Sequence, residues 1–523
     1  MTTRQTLLDE IGQQQQTWDF LVIGGGATGL GTAVEAASRG YRTLLIERFD
    51  FAKGTSSRST KLVHGGVRYL EQMNIQLVLD ALQERGHMLR NAPHLVHDLS
   101  FVVPAYSYAS LPYYGFGLKV YEWLSGKLSF GRSELLSASA TLDKLPGIVA
   151  KGLRGGILYH DGQFDDARYA MTLLRTLEDL GGVAVSYVEA TGLIEENGKV
   201  AGIHAVDRET DARFELKARV VVNAGGVFAE QIADLQGGTN ETLLSVSQGT
   251  HFVLPKSFLP GNDALMIPKT ADGRVLFAIP WHGATIVGTT DVAVGGPVVE
   301  PRPLAEEKQF LLEHIERYFG RRPKPEEILS VWSGLRPLVR KAGTATSKLS
   351  RDHTILIAPS GLVTVTGGKW TTYRRMGQDT VDRAIGAARL PASRSRTREM
   401  PLHGADVTTA KPESEWERVY GSDLAALQAL SGEDRWLDAP IHPRLPFLMR
   451  EVVWAARHEM ARTTEDVLAR RTRALFLDAR AAIEAAPAVA RLLGKELHRS
   501  QTWIERDIET FTALAKGYLY EQD

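Results

Sequence analysis

The sequence predicts an α/β protein with a nucleotide-binding βαβ unit near its start, a strand-rich second region and an all-α C-terminal domain. Three observations predict it. A glycine-rich turn joins an apolar strand to a helix near the N-terminus. Strand and helix patterns alternate from about residue 18 to 385. After Glu417 strand signals vanish and helical periodicity takes over.

Residues 1–17 read as a polar N-terminal tail, with the glutamines Gln13 to Gln16 as a short biased tract. The segment lacks the apolar core of a secretory signal. Asp19-Phe-Leu-Val-Ile then leads into Gly24-Gly-Gly-Ala-Thr-Gly29. Gly24, Gly26 and Gly29 fill the three glycine positions of a dinucleotide fingerprint: one for the turn, one for close approach to a pyrophosphate, one for helix–strand packing. The helix N-terminus then faces the phosphates. A second strand, Thr43 to Ile46, ends at Glu47, about 20 residues past the fingerprint, where an acid takes the ribose hydroxyls. Strand, turn, helix, strand and acid in register predict an ADP-containing cofactor.

Helical periodicity follows over Asn74–Arg90, Ala167–Leu180 and Glu306–Tyr318. Strand patterns fall at 100–103, 183–187, 200–207, 220–223, 250–254, 275–279, 285–288 and 362–366. Residues 386–416 read as a linker, rich in Ser, Arg, Gly, Thr and Pro. In the C-terminal domain, 417–523, helices are expected over Phe447–Met460, Thr464–Arg480 and Trp503–Tyr518.

Composition narrows the function. The chain has 523 residues, 61 basic and 62 acidic, for a net charge of −1, so no global field attracts nucleic acid. There is no cysteine, which excludes disulfides, thiolate metal sites and a cysteinyl-linked flavin. No metal site is expected. No run of ~20 apolar residues predicts a membrane-spanning helix, although binding to a membrane surface stays open.

Three further segments carry candidate chemistry. Gly54 to Tyr69 packs hydroxyls, glycines and three cations into sixteen residues. It either holds a diphosphate through Thr55, Ser56 and Ser57 and places Arg68 near a flavin ring, or is a solvated basic loop. Val220-Val-Val-Asn-Ala-Gly-Gly ends a strand in small residues, with Gly225 a candidate cofactor contact. Gly288-Thr-Thr-Asp291 and Gly367-Gly-Lys-Trp-Thr-Thr-Tyr-Arg374 also follow strands, and the second opens a helix suited to an anionic group, which adds Asp291, Gly367 and Gly368 to the cofactor candidates.

In order, the motifs VIGGGATGLG, GTSSRSTKLVHGGVRYL, APHLV, YHDGQFDDAR, GTHFVLP, IPWHGATIVGTTD, WSGLRPLV, RDHTI and GGKWTTYR resemble the FAD-dependent glycerol-3-phosphate dehydrogenases, including the mitochondrial type. The resemblance covers residues 18–385 and extends into the C-terminal domain through HPRLPF and VLARRTRALFLD. It implies a Rossmann-like FAD-binding domain interleaved with a β-rich substrate domain, non-covalent FAD, a quinone acceptor and attachment to the membrane surface. Position by position it places His251 and Arg336 as catalytic residues, and Arg68, Tyr69, Arg351 and Lys369 in the substrate region. A phosphomonoester dianion needs such cations, since a guanidinium binds two oxygens at once. Taken alone, a histidine beside an apolar strand is more often structural than catalytic.

One departure stands out. The family tends to read Asn-Ala-Thr/Ala-Gly-Pro-Trp after its third strand, where this chain has Asn223-Ala-Gly-Gly-Val-Phe228. The departure bears on the local flavin contacts, not on the presence of flavin. No calcium-binding loop is present either. The reaction implied is sn-glycerol 3-phosphate plus quinone to dihydroxyacetone phosphate plus quinol. An oxidase that reduces O2 to H2O2 on the same substrate is the alternative. An amino-acid or amine oxidase would need one carboxylate contact rather than a cluster of cations. The expected setting is cytoplasmic, at the inner face of the cell membrane, with a homodimer left open. The expected membrane contact is the aromatic and basic stretch Leu111 to Phe130, unless its aromatics are buried in a core.

Overall fold

The computed structural model describes residues 4–13, 17–66, 75–108, 110–125, 130–236, 244–270, 273–339, 353–406, 412, 414–432 and 434–521. The apolar run Trp18–Ile23 becomes a central strand because both of its faces are covered. It pairs in parallel with Thr43–Ile46 on one side and with Arg213–Asn223 on the other. The sheet runs in the order His353–Ile357, Val363–Gly367, Arg213–Asn223, Trp18–Ile23, Thr43–Ile46, Val183–Val185. The fingerprint helix, Ala27–Ser38, packs against helices Asp166–Asp179 and Tyr373–Ala388. The third fingerprint position must be glycine: a Cβ on Gly29 would lie 1.8 Å from the Gly24 carbonyl oxygen.

The second sheet joins distant parts of the chain. Its order is Val292–Val294, Leu244–Pro255, Ala284–Gly288, Leu276–Trp281, Ala264–Ile267, Val96–Ala105, Gly155–Phe164, Leu62–Val63. Strand Ser330–Val339 also pairs with Leu244–Pro255, setting Trp332 opposite His251 and Arg336 opposite Ser247. Segments of the second sheet thus alternate along the chain with those of the first, which is the interleaving expected. The strands Gly155–Phe164 and Val188–Glu196 were not legible as such.

The N-terminal segment is not a tail. Arg4–Gln13 is a helix that buries Leu7, Leu8 and Ile11 against the first sheet, and its Arg4 forms a buried ion pair with Asp207. Three apolar side chains and one paired cation outweigh the polar composition of the rest.

Beyond residue 415 the regular elements of the described residues are helical. Met449–His458 and Gln501–Lys516 form close to the expected spans. The expected single helix Thr464–Arg480 does not: a π turn, Asp466–Arg471, is followed by Arg473 at φ 61°, a short helix Ala474–Leu477, and a separate helix Ala479–Glu496. The break turns a row of arginines inward. Arg471 reaches Asp50 at 2.6 Å, Arg473 reaches Asp165 at 2.7 Å, and Arg470 pairs with both Asp50 and Glu465. Arg168 forks onto Glu459 with bonds of 2.7 and 2.6 Å, and Lys53 meets Glu465 at 2.6 Å. Almost every charge here is buried and matched, as burial requires.

Helix Ser110–Ser125 stands out on the surface. Phe116 and Trp123 are 74% and 80% exposed, and Tyr113 is 61% exposed. Tyr108 and Leu135 beside it are exposed as well. Only part of the aromatic stretch is core: Tyr121 is buried and donates to Asp161 at 2.8 Å. Among the described residues no helix is long and apolar enough to cross a membrane.

Candidate active site

Two cavities, of about 410 and 330 Å³, share Thr55, Arg58, Gly368, Lys369 and Trp370 on their walls. The first is lined by Gly24, Gly26, Ala27 and Thr28 at the start of the fingerprint helix, and by Glu47 at the end of the second strand. The Glu47 carboxylate accepts from Gly25 N at 2.6 Å and from Phe49 N at 2.9 Å. Burial pushes its pKa above the usual carboxylate range, and those two amides oppose the push. Ser56 Oγ accepts from Ala27 N at 2.9 Å, tying the loop 54–58 to the helix start. Thr55, Ser56, Gly225 and Gly367 complete the wall. A Cβ on Gly226, which lines the same cavity, would meet only open space. An elongated dinucleotide fits this lining: helix amides for its diphosphate, an acid for its ribose, and small residues where the backbone must come close.

The second cavity is built on strands 244–255 and 330–339. Side chains two apart share a face, so Gly249 and His251 point to it together, as do Gly334 and Arg336. Gly249 must stay small: a Cβ there would lie 2.3 Å from Arg336 Nη2 and 2.4 Å from Thr289 Oγ1. The guanidinium donates to Asp291 Oδ1 at 3.1 Å, to Thr289 Oγ1 at 3.0 Å and to the Thr290 carbonyl at 3.1 Å. These bonds hold it at the cavity with 21% of the side chain exposed. His251 is buried, stacks on Trp332 with ring centroids 4.0 Å apart, and shares a 2.9 Å hydrogen bond between Nε2 and Thr60 Oγ1. Its Nδ1 is buried with no hydrogen-bond partner among the described residues. Burial first, then Arg336 and Lys61, drive its pKa well below the ordinary 6.5, so the imidazole is neutral at neutral pH.

The structure brings His251, Arg336 and Lys369 together at the second cavity. Asp291, expected at the cofactor, lies there too, as the anchor of Arg336. Gly24, Gly26, Glu47, Thr55, Ser56, Gly225, Gly367 and Gly368 line the first cavity. Ser57 and Gly29 line neither: Ser57 is buried behind the loop, and Gly29 is a packing residue. Arg68, Tyr69 and Arg351 lie outside the described residues. At the family's Pro-Trp position, Val227 and Phe228 line the first cavity instead. Sequence reasoning missed Thr60, His64 and Arg274 on the wall of the second. Thr60 and His64 fall within the marked segment Gly54–Tyr69, whose composition does not single them out, and nothing local marks Arg274, because the groups they face come from other strands. Among the described residues no cluster of three His, Asp or Glu is placed to hold a metal ion.

Comparison with known proteins agrees with this geometry. A family model for FAD-dependent oxidoreductases matches residues 19–374, and one for the C-terminal domain of alpha-glycerophosphate oxidase matches residues 395–503. The mitochondrial glycerol-3-phosphate dehydrogenase of Mus musculus is 38% identical, over 95% of this chain and 72% of its own. That of Saccharomyces cerevisiae is 34% identical, over 99% and 92%. Among solved structures, the glycerol-3-phosphate dehydrogenase from Bacillus halodurans complexed with FAD superposes with a TM-score of 0.80 at 27% identity, covering 100% of this chain and 99% of that one. L-alpha-glycerophosphate oxidase from Mycoplasma pneumoniae shares the fold, with a TM-score of 0.56 at 16% identity over 74% and 98%. A fingerprint cavity shaped for FAD, a second cavity carrying His251 and Arg336, and this kinship agree: the chain belongs to the family of FAD-dependent glycerol-3-phosphate dehydrogenases.

Proposed function

We propose that the protein oxidises sn-glycerol 3-phosphate to dihydroxyacetone phosphate in the second cavity and passes the electrons to a membrane quinone. The observation that carries this reading is a buried His251 and a fixed Arg336 on one cavity, which shares Gly368, Lys369 and Trp370 with the cofactor cavity. When bound, FAD supplies the two-electron acceptor for the hydride on C2. The chain supplies the rest. His251 takes the C2 hydroxyl proton as the carbonyl forms, and its uncharged imidazole is ready to do so. Arg336 offers its guanidinium to the oxygen on which negative charge develops, and to the phosphate. Lys369, with Arg68 and Arg351, adds positive charge for the phosphate dianion. Glu47 holds the ribose and the fingerprint amides hold the diphosphate.

The substrate's dianion also acts on the base. Negative charge near His251 favours its protonated form and so opposes the push of burial, Arg336 and Lys61.

A quinone lives in the bilayer, so the protein must reach one. The exposed Tyr113, Phe116 and Trp123, with Lys119 on the same helix and Arg132 nearby, suit the headgroup boundary of an anionic membrane at its cytoplasmic face. The test is anaerobic reduction of the bound flavin by glycerol 3-phosphate, followed by a titration of acceptors. Reoxidation by a quinone analogue with little peroxide under air supports the dehydrogenase. Stoichiometric peroxide in air would favour the oxidase.

A further inference from the structure

Behind His251 lies an ion pair that the reaction as described does not use. Lys61 is 0% exposed, and its Nζ donates to Asp166 at 2.7 and 2.9 Å and to the Ser57 carbonyl at 2.7 Å. The ammonium sits among three aromatic rings, 5.4 Å from Trp281, 5.1 Å from Trp332 and 5.2 Å from Phe476. Trp332 is the ring on which His251 stacks. Asp166 also accepts from Ser59 N at 3.0 Å and Ser59 Oγ at 2.7 Å. The pair therefore closes the turn from Ser57 to Lys61 at both ends. That turn places Thr60 on the cavity wall with its hydroxyl on His251 Nε2.

We propose that the buried Lys61–Asp166 pair is a positioning device for proton abstraction: it locks the turn that holds Thr60 against His251, and it sets a fixed positive charge behind the indole on which His251 stacks. The proposal rests on the reading of His251 as the base. A cation buried this deeply is costly unless it is matched and bonded. The bonds of Asp166 and Ser57 satisfy it without a water molecule.

The charge has a chemical consequence. The charged and titratable groups around His251 are Lys61 on the turn, backed by Asp166 of helix 166–179; Arg336 of strand 330–339, paired with Asp291; and Arg58, His64, Tyr159, Asp161, Arg274 and Lys369 on the same cavity wall. Lys61 and Arg336 both disfavour the imidazolium. Lys61 differs from Arg336 in being remote from the cavity, so entering substrate leaves its contribution unchanged. It adds to burial and Arg336, which come first in keeping the resting base deprotonated, while the substrate's own charge acts on binding.

The experiment uses FAD-loaded protein and three variants. K61M/D166N removes the pair as a near-isosteric uncharged couple, which avoids leaving one buried charge alone. T60V removes only the hydroxyl, and H251N removes the base. Anaerobic flavin reduction by glycerol 3-phosphate is followed by stopped flow from pH 5 to 8, with FAD affinity measured alongside. In K61M/D166N the acid limb moves up in pH, giving about a twofold or greater loss at pH 6 relative to the plateau, while FAD affinity holds. T60V slows the plateau about tenfold or more, and T60S restores most of it. An acid limb and plateau that both stay at the parent's values in K61M/D166N and T60V, with H251N inactive, overturn the positioning role and leave the base reading standing. Undiminished reduction in H251N overturns the base reading itself.

Discussion

Truncating Glu47 to alanine removes a buried carboxylate that now accepts two backbone amides, Gly25 N at 2.6 Å and Phe49 N at 2.9 Å, on the wall of the cofactor cavity. In the proposed FAD complex the same carboxylate would also take the ribose hydroxyls. A hydrogen bond to a charged group is worth about 1.5–3 kcal/mol, so losing the ribose contact alone weakens FAD binding about 10-fold to about 150-fold. Orphaning the Gly25 and Phe49 amides adds to that cost, because both belong to the turns that shape the cavity. Glu47→Gln serves as the comparator: its amide keeps one acceptor where the carboxylate had two, so its loss should fall between wild type and alanine. The assay is titration of deflavinated protein with FAD, read by quenching of flavin fluorescence. FAD affinity within about threefold of wild type in Glu47→Ala would refute the ribose role and reduce Glu47 to a turn residue.

Four other outcomes follow from the same geometry. His251→Ala lowers anaerobic flavin reduction by ~10²–10⁴-fold with FAD still bound, checked by stopped flow. Because His251 must be neutral and its pKa lies well below 6.5, kcat/KM holds as pH falls through 6.5 and drops only below it, while the limb of kcat lies at higher pH because bound phosphate favours the imidazolium; the two pH profiles decide this. Arg336→Met costs glycerol 3-phosphate turnover about 2 kcal/mol or more beyond any loss on glycerol, and equal losses on both would place Arg336 on the hydroxyl or the fold. Phe116→Ser/Trp123→Ser weakens sedimentation with anionic liposomes about tenfold or more, and unchanged binding would remove this helix as the membrane contact.

Much of the cofactor half was legible because its signals are local. The strand Trp18–Ile23, the turn at Gly24, the helix from Ala27 and the acid at Glu47 lie within thirty residues, and each element shows its own periodicity. The substrate half is assembled across long separations. His251 is 191 residues from Thr60 and Arg336 is 45 from Asp291. His251 and Arg336 could be named only through a family resemblance; Thr60 and Lys61 shared the general signal of the Gly54–Tyr69 segment, and Arg274 had none. The N-terminal segment was misread because composition hides pairing: Arg4 looks like a solvated charge until Asp207 is seen beside it. The run Thr464–Arg480 was misread for the same reason. Its helical pattern is real, but the demands of Asp50 and Asp165 on its arginines break the helix.

Those arginines have a consequence for engineering and for descent. The C-terminal helices are not a detachable appendage, since Glu465 holds Lys53 on the wall of the cofactor cavity while Arg471 and Arg473 neutralise Asp50 and Asp165. A chain cut before residue 415 would bare these two aspartates with most of their matching charge gone. It should fold poorly even though every residue expected to touch substrate or FAD remains. Domain exchange between relatives obeys the same rule. A graft succeeds only when the carboxylates of one half and the guanidinium groups of the other travel as a set, so the two halves must change together or not at all.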